Sequence, residues 1–235
     1  EKLQKLTGCK YVFLTNSGTA GLHLALMSLG ISTGDKVITP SYLCEQVLNS
    51  ISFTGAKPIF VDINSDNYSI NLEEIKKSVN NETKAIIVPY LYGDNFSISE
   101  LKELNIPIIE DASHSLGGKY YSKNVGCSKW SDITIFSFHP VKIITTGEGG
   151  CCTTNKKKYY EKLKALRNNG IIKERKNFKF KNLGPWYYEQ HSLGYNFRMN
   201  DIQSALGISQ LKNLNIFVKF SSLSAEINKR FSFLN

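Results

Sequence analysis

The 235-residue chain has no apolar run long enough to cross a bilayer, no internal repeat and no low-complexity tract. Helical membrane spans, solenoids and fibrous arrays are thereby excluded. Its five cysteines, Cys9, Cys44, Cys127, Cys151 and Cys152, are odd in number and show no CxxC spacing. That argues against both a disulfide framework and a zinc site. Acidic residues are outnumbered, 20 Asp and Glu against 29 Lys and Arg, for a net charge of +9. The lysines are dispersed on polar faces, apart from NKKKYYEKLKALR (155–167) and KERKNFKFK (173–181), and no nucleic-acid motif is present. Scattered lysines read as a solvated surface whose charge helps to attract an anionic substrate. Neither nucleic acid nor membrane is an expected partner. GxGxxG and Walker loops are also missing. The opening EKLQKLTGCKYVFLTNSGTA reads as an amphipathic helix entering a strand rather than a signal peptide, so a cytosolic location is expected. Both ends read as cut, and a fragment of a longer protein is expected.

What is present is an alternation of short β-rich runs with helical patterns. Hydrophobic residues make up 41% of the chain, enough for a sizeable core. YVFLT (11–15), KVIT before Pro40, KPIFVDI, KAIIVPY, IPIIED, DITIFSF and CCTTN read as strands. Helices are predicted at Ala20–Gly30, from Pro40 towards Gly55, at NLEEIKKSV with Asn71 as cap, and at SISELKEL with Ser97 as cap. Further helices are predicted at KKYYEKLKALRNNG, Asp201–Leu214 and Ser221–Phe231, with residues 170–199 irregular. Such alternation implies crossover connections and an α/β fold with a mainly parallel sheet covered on both faces.

Ligands of such sheets sit beyond the carboxyl ends of the strands. Three segments deliver polar groups there. SGTA (17–20) turns into a helix, whose exposed N–H groups and Thr19 hydroxyl suit a phosphate; read alone, it is a helix cap by Ser17 or Thr19. Asp111 directly follows an apolar strand, where a carboxylate needs donors or a cation such as a protonated ring nitrogen; read alone, it caps the next turn. Lys142 follows FSFHP on a proline-fixed turn, with Ser137 five residues before it; read alone, it is a surface lysine. Gly147, Gly149 and Gly150 would let backbone approach a ligand closely. An anion cradle, a strand-end carboxylate and a nucleophilic amine together match the needs of pyridoxal 5′-phosphate (PLP).

The motifs NSGTAGLHLAL, GAKPIFVDI, EDASHSLGGKY, FSFHPVKIITTGEGG, LRNNGI and LGYNFRMNDIQSALGISQL occur in that order along nearly the whole chain. In this the chain resembles the DegT/DnrJ/EryC1/StrS sugar aminotransferases, of the fold-type I PLP-dependent transferase fold. DASH, SFHPVK, ITTGEGG and WYYEQHSLGYNFRMND are most similar to the C4 aminotransferases that supply pseudaminic acid synthesis from a UDP-linked 4-keto-6-deoxy-N-acetylhexosamine. The resemblance implies that Lys142 carries the cofactor and shuttles the proton, and that Asp111 holds the pyridine nitrogen protonated. It places His114 beside the ring and Gly18, Thr19 and Ser137 on the phosphate. Asn196 would reach the phosphate of a partner subunit in a homodimer, and Arg198 would meet a substrate phosphate or the donor's carboxylate. Many relatives stack an aromatic on the ring near the position of Cys44; here Tyr42 is the nearby aromatic, and the stacking partner is open. Glutamate is the expected amino donor. Residues 1–214 would form the PLP-binding large domain, incomplete at its start, and 215–235 the beginning of the helical link to a small C-terminal domain. Family dehydratases carry histidine at the position of Lys142, which favours transamination. A catalytically silent or merely ligand-binding member is the alternative, separable by its lack of visible–near-UV absorbance with the cofactor.

Overall fold

The computed structural model describes residues 1–93, 98–180 and 184–231, the side chains from 225 onward excepted. In chain order the strands are β1 (Tyr11–Thr15), β2 (Lys36–Pro40), β3 (Lys57–Val61), β4 (Thr83–Pro89) and β5 (Ile108–Asp111). A small hairpin of β6 (Lys119–Tyr120) and β7 (Lys123–Asn124) follows, then β8 (Ile133–Ser137) and β9 (Gly150–Thr154). A short ladder pairs β10 (Ile171–Ile172) with β11 (Glu189–Gln190). The helices are α1 (Lys2–Thr7), α2 (Gly18–Leu29), α3 (Glu45–Ser52), α4 (Leu72–Ser78), α5 (Lys157–Arg167), α6 (Asp201–Lys212) and α7 (Leu214–Phe231).

Seven strands form one sheet in the order β1-β9-β8-β5-β4-β2-β3. The pairs β2–β3, β2–β4, β4–β5 and β5–β8 are parallel, whereas β9 runs antiparallel to both β1 and β8. Successive strand side chains point to opposite faces, so a run apolar at every position must be covered twice. β4 shows this: Ile86 and Val88 enter one buried cluster, Ala85 and Ile87 the other. α2 covers the second face. Its Leu24, Ala25 and Leu26 are fully buried. Each buried leucine contributes about 2 kcal/mol by removal from water. Ser17 caps α2 by accepting the Ala20 N–H at 3.0 Å, and Gly30 ends it in the left-handed conformation at φ 91°.

All seven sheet strands coincide with runs read from the sequence, and Asn71 caps α4 through the N–H groups of Glu73 and Glu74. Several expectations need correction. SISELKEL supplies a 3-10 helix, Ser99–Leu104, rather than an α-helix. Asn105 turns left-handed at φ 54° and Pro107 follows, so only a short, tight helix fits; the expected cap, Ser97, lies outside the described residues. The helix after β2 is confined to Glu45–Ser52. α7 starts at Leu214, not Ser221. Leu214 is buried, and a Cβ on Gly117 would stand 3.1 Å from Val218, so the bare glycine lets this helix dock on the first cluster. Among the described residues no helix is long and apolar enough to cross a membrane.

Candidate active site

The carboxyl ends of β4, β5 and β8 and the start of α2 surround a cleft of about 460 Å³. Gly18, Thr19, Cys44, Asp111, His114, Ser137 and Lys142 all line it. Register explains part of this convergence. Pro89, Asp111 and Ile135 lie side by side across three strands, and Ser137 is two residues beyond Ile135. Ile109 and Ile135 belong to the cluster under α2, so the period of two puts Asp111 and Ser137 on that same face.

The first N–H groups of a helix have no intrahelical acceptor. Ser17 takes that of Ala20, leaving those of Gly18 and Thr19 facing the cleft at the positive end of the helix dipole. A Cβ on Gly18 would stand 2.8 Å from the Ser137 Cβ, so only glycine brings the helix start this close to the end of β8. Two of the glycines after Lys142 pack closely against the chain itself. A Cβ on Gly150 would lie 2.6 Å from the Ser17 backbone, and one on Gly149 2.1 Å from Thr146 Oγ1. Both are required by the chain's own packing. Gly147 adopts φ 76° in a turn with nothing close to it.

Lys142 sits on a turn in which its N–H donates to the His139 carbonyl at 2.9 Å, with Pro140 fixing the first corner. Its Nζ is 2.5 Å from His114 Nε2. The other ring nitrogen, Nδ1, accepts the Tyr92 N–H at 3.2 Å, which leaves Nε2 as the nitrogen that meets the Lys142 amine. Burial, reinforced by the Lys142 charge and only partly offset by Asp111, pushes the His114 pKa below its ordinary value. His114 is therefore held neutral. Asp111 accepts both the N–H (3.1 Å) and the hydroxyl (2.5 Å) of Ser113 through Oδ1 alone. The turn-capping reading is thus real, yet among the described residues it occupies only one oxygen and leaves Oδ2 for a further donor.

Not every sequence-predicted residue enters the cleft. Tyr42 stands at the rim, exposed, with its hydroxyl 2.7 Å from that of Tyr92. Asn196 forms an isolated bridge with Asn168. Arg198 donates to Asn168 Oδ1 at 2.6 Å and lines a separate cavity. Sequence reasoning missed Ser113, Tyr92 and Glu110. Ser113 was legible as the second residue after an Asp, the spacing of an Asx-turn. Tyr92 acts through its backbone and a left-handed φ of 55°, which no side-chain pattern announces. Glu110 is buried on the opposite face of β5, bonded to Thr134 Oγ1 at 2.8 Å.

Residues 1–230 match the DegT/DnrJ/EryC1/StrS aminotransferase family, and the chain belongs to it. The UDP-4-amino-4,6-dideoxy-N-acetyl-beta-L-altrosamine transaminase of Campylobacter jejuni is 40% identical over 223 residues, covering 91% of this chain and 55% of that protein. GDP-perosamine synthase of Escherichia coli O157:H7 is 36% identical over 225 residues, covering 94% and 58%. The chain thus spans little more than half the length of these relatives. Among solved structures, Helicobacter pylori PseC, an aminotransferase involved in pseudaminic acid biosynthesis, superposes with a TM-score of 0.80 at 31% identity, covering 91% of this chain and 56% of that one. A Streptococcus pneumoniae chain described as a sugar aminotransferase, in its PMP form, gives 0.82 at 29% identity, covering 91% and 59%. The same protein is also solved in its PLP form. The family is one of PLP-dependent sugar aminotransferases.

Proposed function

We propose that this chain is the cofactor-binding part of a cytoplasmic aminotransferase. Its substrate is a nucleotide-linked 4-keto-6-deoxy sugar, its nitrogen donor an amino acid such as glutamate, and its product an amino sugar for cell-surface or flagellar glycans. The observation that carries this reading is the convergence of the α2 start, Asp111 and Lys142 on one cleft. The donor set fits the cofactor: backbone N–H groups and two hydroxyls for a phosphate, a carboxylate oxygen for a protonated ring nitrogen, and an amine for an aldehyde. Relatives acting on UDP- and GDP-linked sugars support the substrate class and leave the nucleotide open.

Bound PLP supplies an electron sink for the charge left when a proton leaves the carbon bearing nitrogen. Gly18, Thr19 and Ser137, which line the cleft, would hold its phosphate. Asp111 would keep the ring nitrogen protonated, while Ser113 fixes the carboxylate's rotation through Oδ1. Lys142 would hold the aldehyde group and would serve as the acid–base group that moves the proton. Neutral His114, oriented by the Tyr92 N–H, packs beside them without adding a competing positive charge. Leu22, Val47 and Ile135 line the cleft and limit water. The placement of Asn196 and Arg198 outside their own chain's cleft supports a homodimer in which they serve the partner's site. Residues 1–214 form the large domain in this reading, and 215–235 begin the link to a second one. Borohydride reduction of the full-length protein with PLP should fix the label on Lys142. Label on any other lysine would sink the assignment.

A further inference from the structure

Four neighbouring strands, β2, β4, β5 and β8, run parallel, so their carboxyl ends stand in a row. Each releases one member of a chain of contacts that crosses the row. Tyr42, after β2, meets Tyr92, after β4, hydroxyl to hydroxyl at 2.7 Å. The Tyr92 N–H donates to His114 Nδ1 at 3.2 Å, and His114, after β5, meets the Lys142 amine through Nε2 at 2.5 Å. The chain is no proton path, because it enters Tyr92 at the hydroxyl and leaves from the backbone. What it transmits is position.

Tyr92 is the strained member. Its φ of 55° is left-handed, an unfavourable conformation for a bulky side chain. Packing does not impose it, since the residue is 75% exposed. Three contacts do: the hydroxyl on Tyr42, the N–H on His114, and the ring lying at 18° to the imidazole with 6.3 Å between centroids. Gly93 continues the turn at φ 83°, where a Cβ would stand 3.1 Å from the His114 carbonyl. Rotation about the strained bond swings the N–H relative to the ring and its hydroxyl. The Tyr42 bond, the left-handed φ and the N–H contact therefore stand or fall together, and Tyr42 is the anchor that lies outside the His114 segment.

We infer that Tyr42 is a positioning residue: through the Tyr92 hydroxyl it holds the Tyr92 N–H on His114 and so aims the imidazole at the Lys142 amine. The consequence for transamination rests on the proposed role of Lys142, whereas the chain of contacts does not. NMR titration of His114 in the full-length protein without cofactor reads that chain directly. A donor on Nδ1 favours the neutral ring, and the charges that also reach it, Lys142 and Asp111, are common to every variant. Loosening the N–H therefore raises the His114 midpoint, by about half a pH unit for a hydrogen bond of ordinary strength. Tyr42→Phe and Tyr92→Phe should each show that rise, and the double variant no more than either, with thermal melts confirming an intact fold. Tyr68→Phe, whose ring packs on Tyr42 at 5.8 Å, should leave the midpoint unchanged. With PLP and substrates, kcat should fall in Tyr42→Phe while KM holds. A midpoint unchanged in Tyr42→Phe, or raised equally in Tyr68→Phe, overturns the proposal. So does a raised KM with the midpoint unchanged, which would make Tyr42 a substrate contact instead. A raised midpoint together with borohydride label on another lysine would sink the role of Lys142 and leave the positioning of His114 standing.

Discussion

Replacing Glu110 with glutamine removes one proton site from the core while keeping its shape and hydrogen-bonding capacity. The side chain is 4% exposed. Its neighbours are the hydroxyls of Thr134, Tyr90 and Ser131, which support the carboxylate but carry no charge to offset it. Burial dominates, and it lifts the carboxyl from its ordinary 4.5 to about 7. Between those two values the folded protein keeps a proton that the unfolded chain has released. Stability therefore falls as pH rises from about 4.5 to about 7, and this contribution is flat on either side. At about 1.4 kcal/mol per tenfold change, the loss amounts to about 3 kcal/mol. Glutamine cannot ionise and escapes it. Urea unfolding of wild type and Glu110→Gln at pH 4.5, 6 and 8 should show the gap in stability opening by about 3 kcal/mol in favour of the variant. All other titrating groups are common to both proteins and cancel. A gap that stays constant across this range would refute the reasoning, because Glu110 would then titrate alike in the folded and unfolded states.

Asp111→Asn should leave the fold and the labelling of Lys142 intact yet lower the transamination rate by orders of magnitude, since a neutral ring nitrogen is a poor electron sink; near wild-type turnover would reduce Asp111 to its turn-capping role. Gly150→Ala forces a Cβ to within 2.6 Å of the Ser17 backbone, which cannot move without the start of α2. Overpacking of this kind costs about 1–3 kcal/mol, and thermal melts together with PLP titration should show lower stability and weaker cofactor binding together. Mixing full-length Lys142→Ala with full-length Asn196→Ala should restore activity above either parent, because one site of the heterodimer then collects both lesions; no gain after proven subunit exchange would rule out a shared site.

The sheet was legible because its strands are apolar at nearly every position and are bounded by turn residues, a pattern that double burial imposes. The hairpin Lys119–Asn124 was not: KYYSKN is polar, and Tyr121 enters it at φ 48°, a geometry that tyrosine does not advertise. The early start of α7 escaped notice because NIFVKF is rich in branched and aromatic residues, and its helicity comes from docking on Gly117. In the cleft, the residues at strand ends were legible by the carboxyl-edge rule. IIED places two acids in succession, and no pattern in four residues says that Glu110 is buried while Asp111 faces the cleft. That distinction comes from the pairing of Glu110 with Thr134 and of Asp111 with Ile135. Nor does LGYNFRMND reveal that Asn196 and Arg198 attach to the end of α5 through Asn168.

The antiparallel strand accounts for where the lysine sits. A chain leaving β8 for another parallel strand would have to cross the sheet and return to its amino edge, carrying the next residues away from the ligand side. β9 runs the other way and begins at Gly150, opposite Ser137 and Thr15. Residues 138–149 therefore never leave the carboxyl edge. Two hydrogen bonds close the loop on itself, Phe138 N–H to the Gly149 carbonyl at 2.8 Å and Thr146 N–H to the Phe138 carbonyl at 2.9 Å. Lys142 lies within this closed loop, on the turn set by Pro140. For β9 to start there, its first residue must pass between β8 and the beginning of α2 with no side chain, and Gly150 does so. The glycine-rich end of the loop thus follows from the sheet's topology, and the lysine is held at the cleft by the same reversal of direction.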